Sequence, residues 1–161
     1  MLLPTHALAG AIIGKNLNDS WLIVIFAIAI HFVMDSFRHG EYLYADSNEN
    51  TIKNSAWKAA LEISTAVFVV FAVLYALQPD LKTCQNMLLG SFFSVLPDFI
   101  TFLYWLNKKN QNIASTFLKK YYAFHSWIHA HPRNAPERAW TFRNARNDII
   151  FSALAIIFLF L

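Results

Sequence analysis

The sequence has little of what the common folds and enzyme classes depend on. Its 161 residues include one cysteine, Cys84, which excludes an intramolecular disulfide. Four glycines and five prolines are too few for a turn-rich all-β protein. Charged residues make up 14% of the chain, against roughly 25% in an average soluble domain. The signatures HExxH, GxSxG, CxxC, the P-loop and the Gly-rich dinucleotide turn are absent, which excludes the enzymes built on them.

Apolar residues are abundant instead, at 57% of the chain with a mean hydropathy of +0.37. This composition is typical of a protein that lies in a membrane. We predict an all-α, membrane-embedded bundle of about six helices in a single domain, 1–161, with roughly four helices spanning. Apolar helices are expected at about 2–14, 21–37, 56–78, 83–106 and 149–161, and an amphipathic helix at about 114–130.

The basic residues are unevenly distributed, and they predict an orientation. Eight of the 13 Lys and Arg lie from Lys108 onward. If the first four helices alternate in direction, the turns at Lys15 and Lys82 face outward with one lysine each, and the other eleven basic residues face inward. We therefore expect a multi-pass protein of the inner membrane, in contact with lipids and without a nucleic acid partner. His6, Asp35, Asp98 and His125 would then lie toward the cytoplasmic leaflet.

An ionisable face follows the apolar run WLIVIFAIAI, in the stretch HFVMDSFRHG. His31, Asp35 and His39 are four residues apart, so they share one face over two helical turns. A carboxylate beside Phe32 and Val33 needs a cation, which favours a metal or catalytic site; the alternative is a solvated helix end. His125 and His129 in HSWIHAH repeat the four-residue spacing, which lets two side chains reach one ion.

Imidazole and carboxylate together suit zinc, manganese or iron, and no thiolate cluster competes with them. Other interpretations stay open for single residues. His6 taken alone is more often an interfacial or hydrogen-bonded core histidine than a ligand, and Asp98, which follows Pro97, is also consistent with a helix N-cap after a kink. Asp80 and Asp148 are interpreted as helix-terminal groups, and His131 as an exposed residue.

Four short motifs, THALAG, HFVMDSFRH, SVLPD and HSWIH, resemble those of the small membrane-bound metal-dependent hydrolases, often described as inner-membrane hydrolases. Their His/Asp pattern is similar to that of zinc-dependent phospholipase C. The resemblance implies that the metal ligands are His6, His31, Asp35, Asp98 and His125, with Asp98 in a position that bridges two metals. Two departures leave the number of metals open: the Pro-Asp pair lacks a second Asp, and the basic-Gly stretch before His-Ser is missing.

The predicted function is hydrolysis of a phosphoester on a lipid-linked or other anionic substrate. A divalent ion would activate the water that attacks the substrate. Zn²⁺ is the expected ion, with Mn²⁺ or Fe as alternatives. His39 or His129 would serve as general acid or base, since an unperturbed histidine has a pKa of about 6.5. Two alternatives stay open. One is a di-iron membrane redox enzyme, and the other is a non-enzymatic protein whose histidines bind metal, tune helix packing or sense pH.

Overall fold

The structure is a computed structural model that describes residues 1–40, 49–107, 114–130 and 142–161. These residues form six α-helices and no strand, which confirms the prediction of an all-α protein. In chain order the helices are α1 Leu3–Asn16, α2 Ser20–Asp35, α3 Glu49–Leu77, α4 Leu81–Asn107, α5 Ala114–Ala130 and α6 Phe142–Phe160.

Two predicted helix N-caps lie inside helices instead. α6 begins at Phe142 rather than at 149, so Asp148 lies within it, where Oδ1 accepts a hydrogen bond from the Leu2 N–H at 2.7 Å. α4 continues through Pro97, so Asp98 does not cap a new helical segment. Asp80, in contrast, is confirmed as a helix-terminal group, because its Oδ1 accepts the backbone N–H groups of Lys82 and Thr83.

The backbones of α1 and α4 meet at glycines. A Cβ at Gly10 would overlap the carbonyl of Gly90, a Cβ at Gly90 would overlap the carbonyl of Gly10, and a Cβ at Gly14 would overlap the carbonyl of Asn86. Gly10 and Gly14 form a GxxxG pattern, which lets helices approach closely in membrane proteins. The close approach sets the position of α1 against α4, and with it the position of His6 against Asp98.

Two further contacts fix the direction of the neighbouring helices. Asn86 Nδ2 donates to the carbonyl of Leu17 at 3.0 Å, so the turn between α1 and α2 lies beside the first half of α4. Thr5 Oγ1 and Ser152 Oγ are 2.8 Å apart, and Lys15 Nζ donates to Leu159 O at 2.6 Å, so α6 runs parallel to α1. As a result, the starts of α1 and α6, the end of α2 and the later part of α4 lie at one end of the bundle, which we call the site end.

The core lies between α1, α3, α4 and α6, where Leu8, Met87 and Leu159 are almost completely buried. The outer face of α3 is apolar as well, with Phe68 73% and Phe71 59% exposed. Among the described residues, two helical segments are long and apolar enough to cross a membrane, Trp57–Leu77 and Leu81–Trp105. An exposed apolar face of this kind marks a surface that contacts a membrane or another protein.

Candidate metal centre

The structure brings together all seven side chains that the sequence singled out as metal-binding or catalytic. They come from the start of α1, the end of α2 and the segment after it, the later part of α4, and the second half of α5. The seven residues are His6, His31, Asp35, His39, Asp98, His125 and His129. His131, interpreted as exposed, lies outside the described residues.

Asp35 lies at the centre of this cluster and is completely buried. Its Oδ2 atom is 2.9 Å from His31 Nε2, 3.0 Å from His125 Nε2 and 3.0 Å from His129 Nε2. The His31–Asp35 contact spans one helical turn, as the four-residue spacing predicts. The contacts to His125 and His129 join α2 to α5, which the sequence alone could not establish.

The other carboxylate oxygen of Asp35 faces α1. Asp35 Oδ1 lies 3.1 Å from His6 Nε2 and 2.6 Å from the amino group of Met1. His6 is completely buried, and its ring stacks on His31 with the centroids 4.2 Å apart. His6 therefore lies in the cluster, and the alternative of an interfacial histidine does not fit its burial.

Asp98 lies at the edge of the cluster, farther from the histidine nitrogens than Asp35 does. Its carboxylate oxygens are 3.9 Å from His6 Nε2, 4.0 Å from His31 Nε2 and 3.8 Å from His125 Nε2. The side chain is 25% exposed, whereas that of Asp35 is fully enclosed. Asp98 thus faces both the histidines and the space beside them.

Hydrogen bonds to backbone carbonyls fix the tautomers of two imidazoles, and a threonine hydroxyl faces the outer nitrogen of a third. The carbonyl of Ser94 accepts from His31 Nδ1 at 2.8 Å, and the carbonyl of Phe37 accepts from His39 Nδ1 at 2.8 Å. Thr101 Oγ1 lies 2.6 Å from His125 Nδ1 and 3.2 Å from Pro97 O, and we assign its proton to the carbonyl, so that the hydroxyl oxygen accepts from His125 Nδ1. Because each Nδ1 carries the proton, a neutral ring presents a lone pair at Nε2.

These lone pairs face one another and the Asp35 carboxylate. His31 Nε2 is 3.1 Å from His125 Nε2, which in turn is 3.0 Å from His129 Nε2. Burial lowers the pKa of His125 against the raising effect of its hydrogen bond with Asp35, and burial also holds the pKa of His39 well below its ordinary value. Wherever two of these facing rings are neutral, acceptors face acceptors, an arrangement that a cation between them would stabilise.

The spacing of the ligand atoms also fits a metal ion. Ligands about 2.0–2.2 Å from a tetrahedral ion lie about 3.3–3.6 Å from one another. The observed separations lie on either side of this range, at 2.9–3.1 Å around Asp35 and 3.8–4.0 Å to Asp98. Two groups can hold an ion, and both include Asp35: one adds His31, Asp98 and His125, and the other adds His39 and His129. In each group the ligand atoms lie within 4.8 Å of one another.

A cavity of about 190 Å³ opens beside the cluster, between α3 and α4. Asp98, His125 and His129 form part of its wall, together with His39. Much of the remaining wall is apolar and comes from Leu2, Leu3, Ala59, Ile63, Val95, Phe99 and Phe102. A small molecule in this cavity would contact the cluster at one side and hydrocarbon at the other.

Sequence reasoning missed the residues that orient the ligands. The backbone carbonyl of Ser94 and the hydroxyl of Thr101 hold the outer nitrogens of His31 and His125, and Ser91 Oγ donates to Ala7 O at 2.9 Å on the α1 side. Their spacing was a usable signal, since Ser91, Ser94, Asp98 and Thr101 recur every three or four residues along an apolar helix. Such a polar stripe predicts a buried face that meets other polar groups.

Comparison with known proteins returned no match: no family model, no curated protein and no solved structure is similar to this chain. The resemblance to membrane-bound metal-dependent hydrolases therefore stays a prediction based on short motifs. What the structure adds to those motifs is a buried His/Asp cluster that can hold a metal ion.

Proposed function

We propose that this protein is a membrane-embedded, metal-dependent hydrolase that acts on phosphoesters at the His/Asp cluster. The observation that carries the proposal is the convergence of three imidazole nitrogens, Nε2 of His31, His125 and His129, on Asp35 Oδ2 at 2.9–3.0 Å. Nitrogen and carboxylate ligands with their outer N–H groups held by hydrogen bonds are what a zinc site requires, and manganese and iron accept the same ligands.

The sequence predicts that His39 or His129 acts as a general acid or base, and this proposal gives both residues a different role. Both belong to the second group of potential ligands around Asp35, and His39 Nε2 lies 3.1 Å from His129 Nδ1. We therefore assign them to a second ion rather than to proton transfer. Asp35 belongs to both groups, whereas the resemblance gave the bridging position to Asp98.

Metal-dependent hydrolysis of a phosphoester needs a metal ion next to a cavity that can hold the substrate. A divalent ion held by these residues would activate a water molecule for attack and would stabilise negative charge on a phosphoryl oxygen. Asp98 and His125 line the cavity, so a substrate held there lies beside the ligands. Eight of the 13 Lys and Arg occur from Lys108 onward, which favours an anionic substrate.

The membrane arrangement is part of the proposal. α3 and α4 supply the two segments that are long enough to cross. α1 and α2 lie beside them with 14 and 16 residues, which reach about 21–24 Å at 1.5 Å per residue and complete four passes through a locally thinned or tilted layer. The basic residues then orient the site end toward the cytoplasmic leaflet of the inner membrane.

The experiment combines metal analysis with hydrolysis. Protein purified in detergent without chelator is expected to hold at least one zinc, manganese or iron ion per chain and to hydrolyse bis(p-nitrophenyl) phosphate. His31→Ala and Asp35→Ala are expected to lose both properties while still inserting into the membrane. Asp19→Asn is the matched control, because asparagine caps the start of α2 as well as aspartate does and lies at the other end of that helix.

Three results would contradict the proposal. Absence of stoichiometric metal from the wild type would favour a non-enzymatic protein. Bound iron with a visible absorbance band and no hydrolysis would favour the redox alternative. Normal metal content in both His31→Ala and Asp35→Ala would show that the cluster around Asp35 does not bind the ion.

A further inference from the structure

Glu62 is a carboxylate that the metal centre does not use. It is the only Asp, Glu, Lys or Arg between Lys58 and Asp80, in a helix whose outer face is apolar. An ionisable group in such a segment costs a few kcal/mol or more, and where one occurs it usually serves a function. The two groups of potential metal ligands do not include it.

The position of Glu62 is set by α1. The Glu62 side chain lies near the backbone N–H of Leu3, and both residues line the same cavity. Leu3 is the first residue of α1, three residues before His6, so the carboxyl group lies beside the helix that brings His6 to Asp35. α3 therefore presents Glu62 to the site end and not to the surrounding lipid.

The cavity separates Glu62 from the metal ligands. Glu62 lines it from α3, while Asp98 lines it from α4 and His125 and His129 line it from α5. The rest of the α3 wall, Ala59 and Ile63, cannot exchange a proton. A phosphoester whose phosphorus lies beside the ligands would thus have Glu62 as the acid on another side of the same space.

We propose that Glu62 is the general acid that protonates the leaving group of the substrate in this cavity. This inference rests on the proposed hydrolase function. In the step, a water oxygen forms a bond to phosphorus, and the bond between phosphorus and the leaving oxygen breaks with its electron pair on that oxygen. Glu62 transfers its carboxyl proton to the leaving oxygen. The attacking water loses one proton to solvent, and Glu62 regains one from solvent, so the products are an alcohol and a phosphate monoester.

The test compares two substrates whose leaving groups differ in how much they need to be protonated. Diphenyl phosphate releases phenolate, a basic leaving group that benefits from a proton, whereas bis(p-nitrophenyl) phosphate releases a stable anion. Glu62→Gln is expected to lower turnover of diphenyl phosphate about 100-fold, in the range of general acid catalysis, and that of bis(p-nitrophenyl) phosphate much less. Metal content is expected to equal that of the wild type. Retained hydrolysis of the activated ester shows that the variant is folded.

Asp148→Asn is the matched control. It also removes one buried carboxyl group, but Asp148 does not belong to the cavity wall, and the asparagine oxygen still accepts the Leu2 N–H. The control is expected to hydrolyse both esters at wild-type rates.

The outcomes separate the two proposals. Equal rates for Glu62→Gln and wild type on diphenyl phosphate, equal losses on both esters, or loss of metal from the variant would each overturn the role of Glu62 alone. A wild-type protein that binds metal but hydrolyses neither ester would overturn the proposed function, and the role of Glu62 with it.

Discussion

Thr101 offers the sharpest test of the metal centre, because it orients a ligand without being one. Its hydroxyl oxygen accepts the proton of His125 Nδ1 at 2.6 Å, and His125 Nε2 lies 3.0 Å from Asp35. In Thr101→Val a methyl group of similar size replaces the hydroxyl, so the change leaves packing nearly intact. The ring of His125 loses its acceptor, and its proton can move to Nε2, where it blocks the ion.

The magnitude follows from the number of ligands affected. Only His125 loses its orientation, while His31 and His39 keep their carbonyl acceptors, Ser94 and Phe37. Removing one such partner of a metal-binding histidine typically costs 10- to 100-fold in metal affinity, or about 1.4–2.7 kcal/mol. We expect Thr101→Val to weaken zinc binding by this amount without abolishing it.

The assay is a zinc titration of the metal-free protein in detergent, in competition with a chelator of known affinity. Thr65→Val is the matched control, because Thr65 Oγ1 donates to Leu61 O at 2.7 Å as Thr101 Oγ1 donates to Pro97 O, but within the described part of the chain it has no hydrogen bond with a histidine. Thr65→Val should bind zinc like the wild type. Unchanged affinity in Thr101→Val would refute the assignment of His125 as a ligand with a lone pair at Nε2.

Two further predictions test the fold and the orientation. Gly10→Ala should lower the free energy of unfolding by about 1–3 kcal/mol, because the added Cβ would overlap Gly90 O. A lower thermal midpoint of unfolding would show this. A higher midpoint, which is expected for alanine in an open helix, would contradict the close packing of α1 on α4. The orientation is tested with single-cysteine variants in a Cys84→Ser background, at Asn48 and Lys109, which lie outside the described residues. Both cysteines should react with membrane-impermeant thiol reagents only from the cytoplasmic side. Reaction of the two cysteines from opposite sides would contradict the proposed orientation.

The helical segments could be predicted because their signals are local. Long apolar runs with few glycines and prolines predict helices, and the caps Asp19 and Asp80 lie beside the starts of α2 and α4. The start of α6 was predicted wrongly because its first turns are polar, with Arg143 and Arg146, and only its later part is an apolar run. Asp148 therefore had the sequence signature of an N-cap although it lies within the helix.

The candidate site could be predicted in part for the same reason. The four-residue spacing brought His31 to Asp35 and His125 to His129 within single helices, and both contacts are present. The partners of His125 in α4 required more than spacing. Thr101 reaches His125 only because α5 packs across the later part of α4, and no pattern within either helix specifies that crossing.

Composition and periodicity are properties of short segments, so they were sufficient to predict an apolar, all-helical chain in which imidazoles and carboxylates occur at helical spacing. Which of those groups meet depends on how the helices pack. Packing of α1 on α4 at Gly10 and Gly90, and of α5 against the end of α2, places Asp35 among histidines from three helices, of which His31 and His125 are 94 positions apart. It also turns Glu62 toward the cavity instead of toward the exposed apolar face of α3. Such contacts depend on the fit between whole helix surfaces, which a local pattern does not contain.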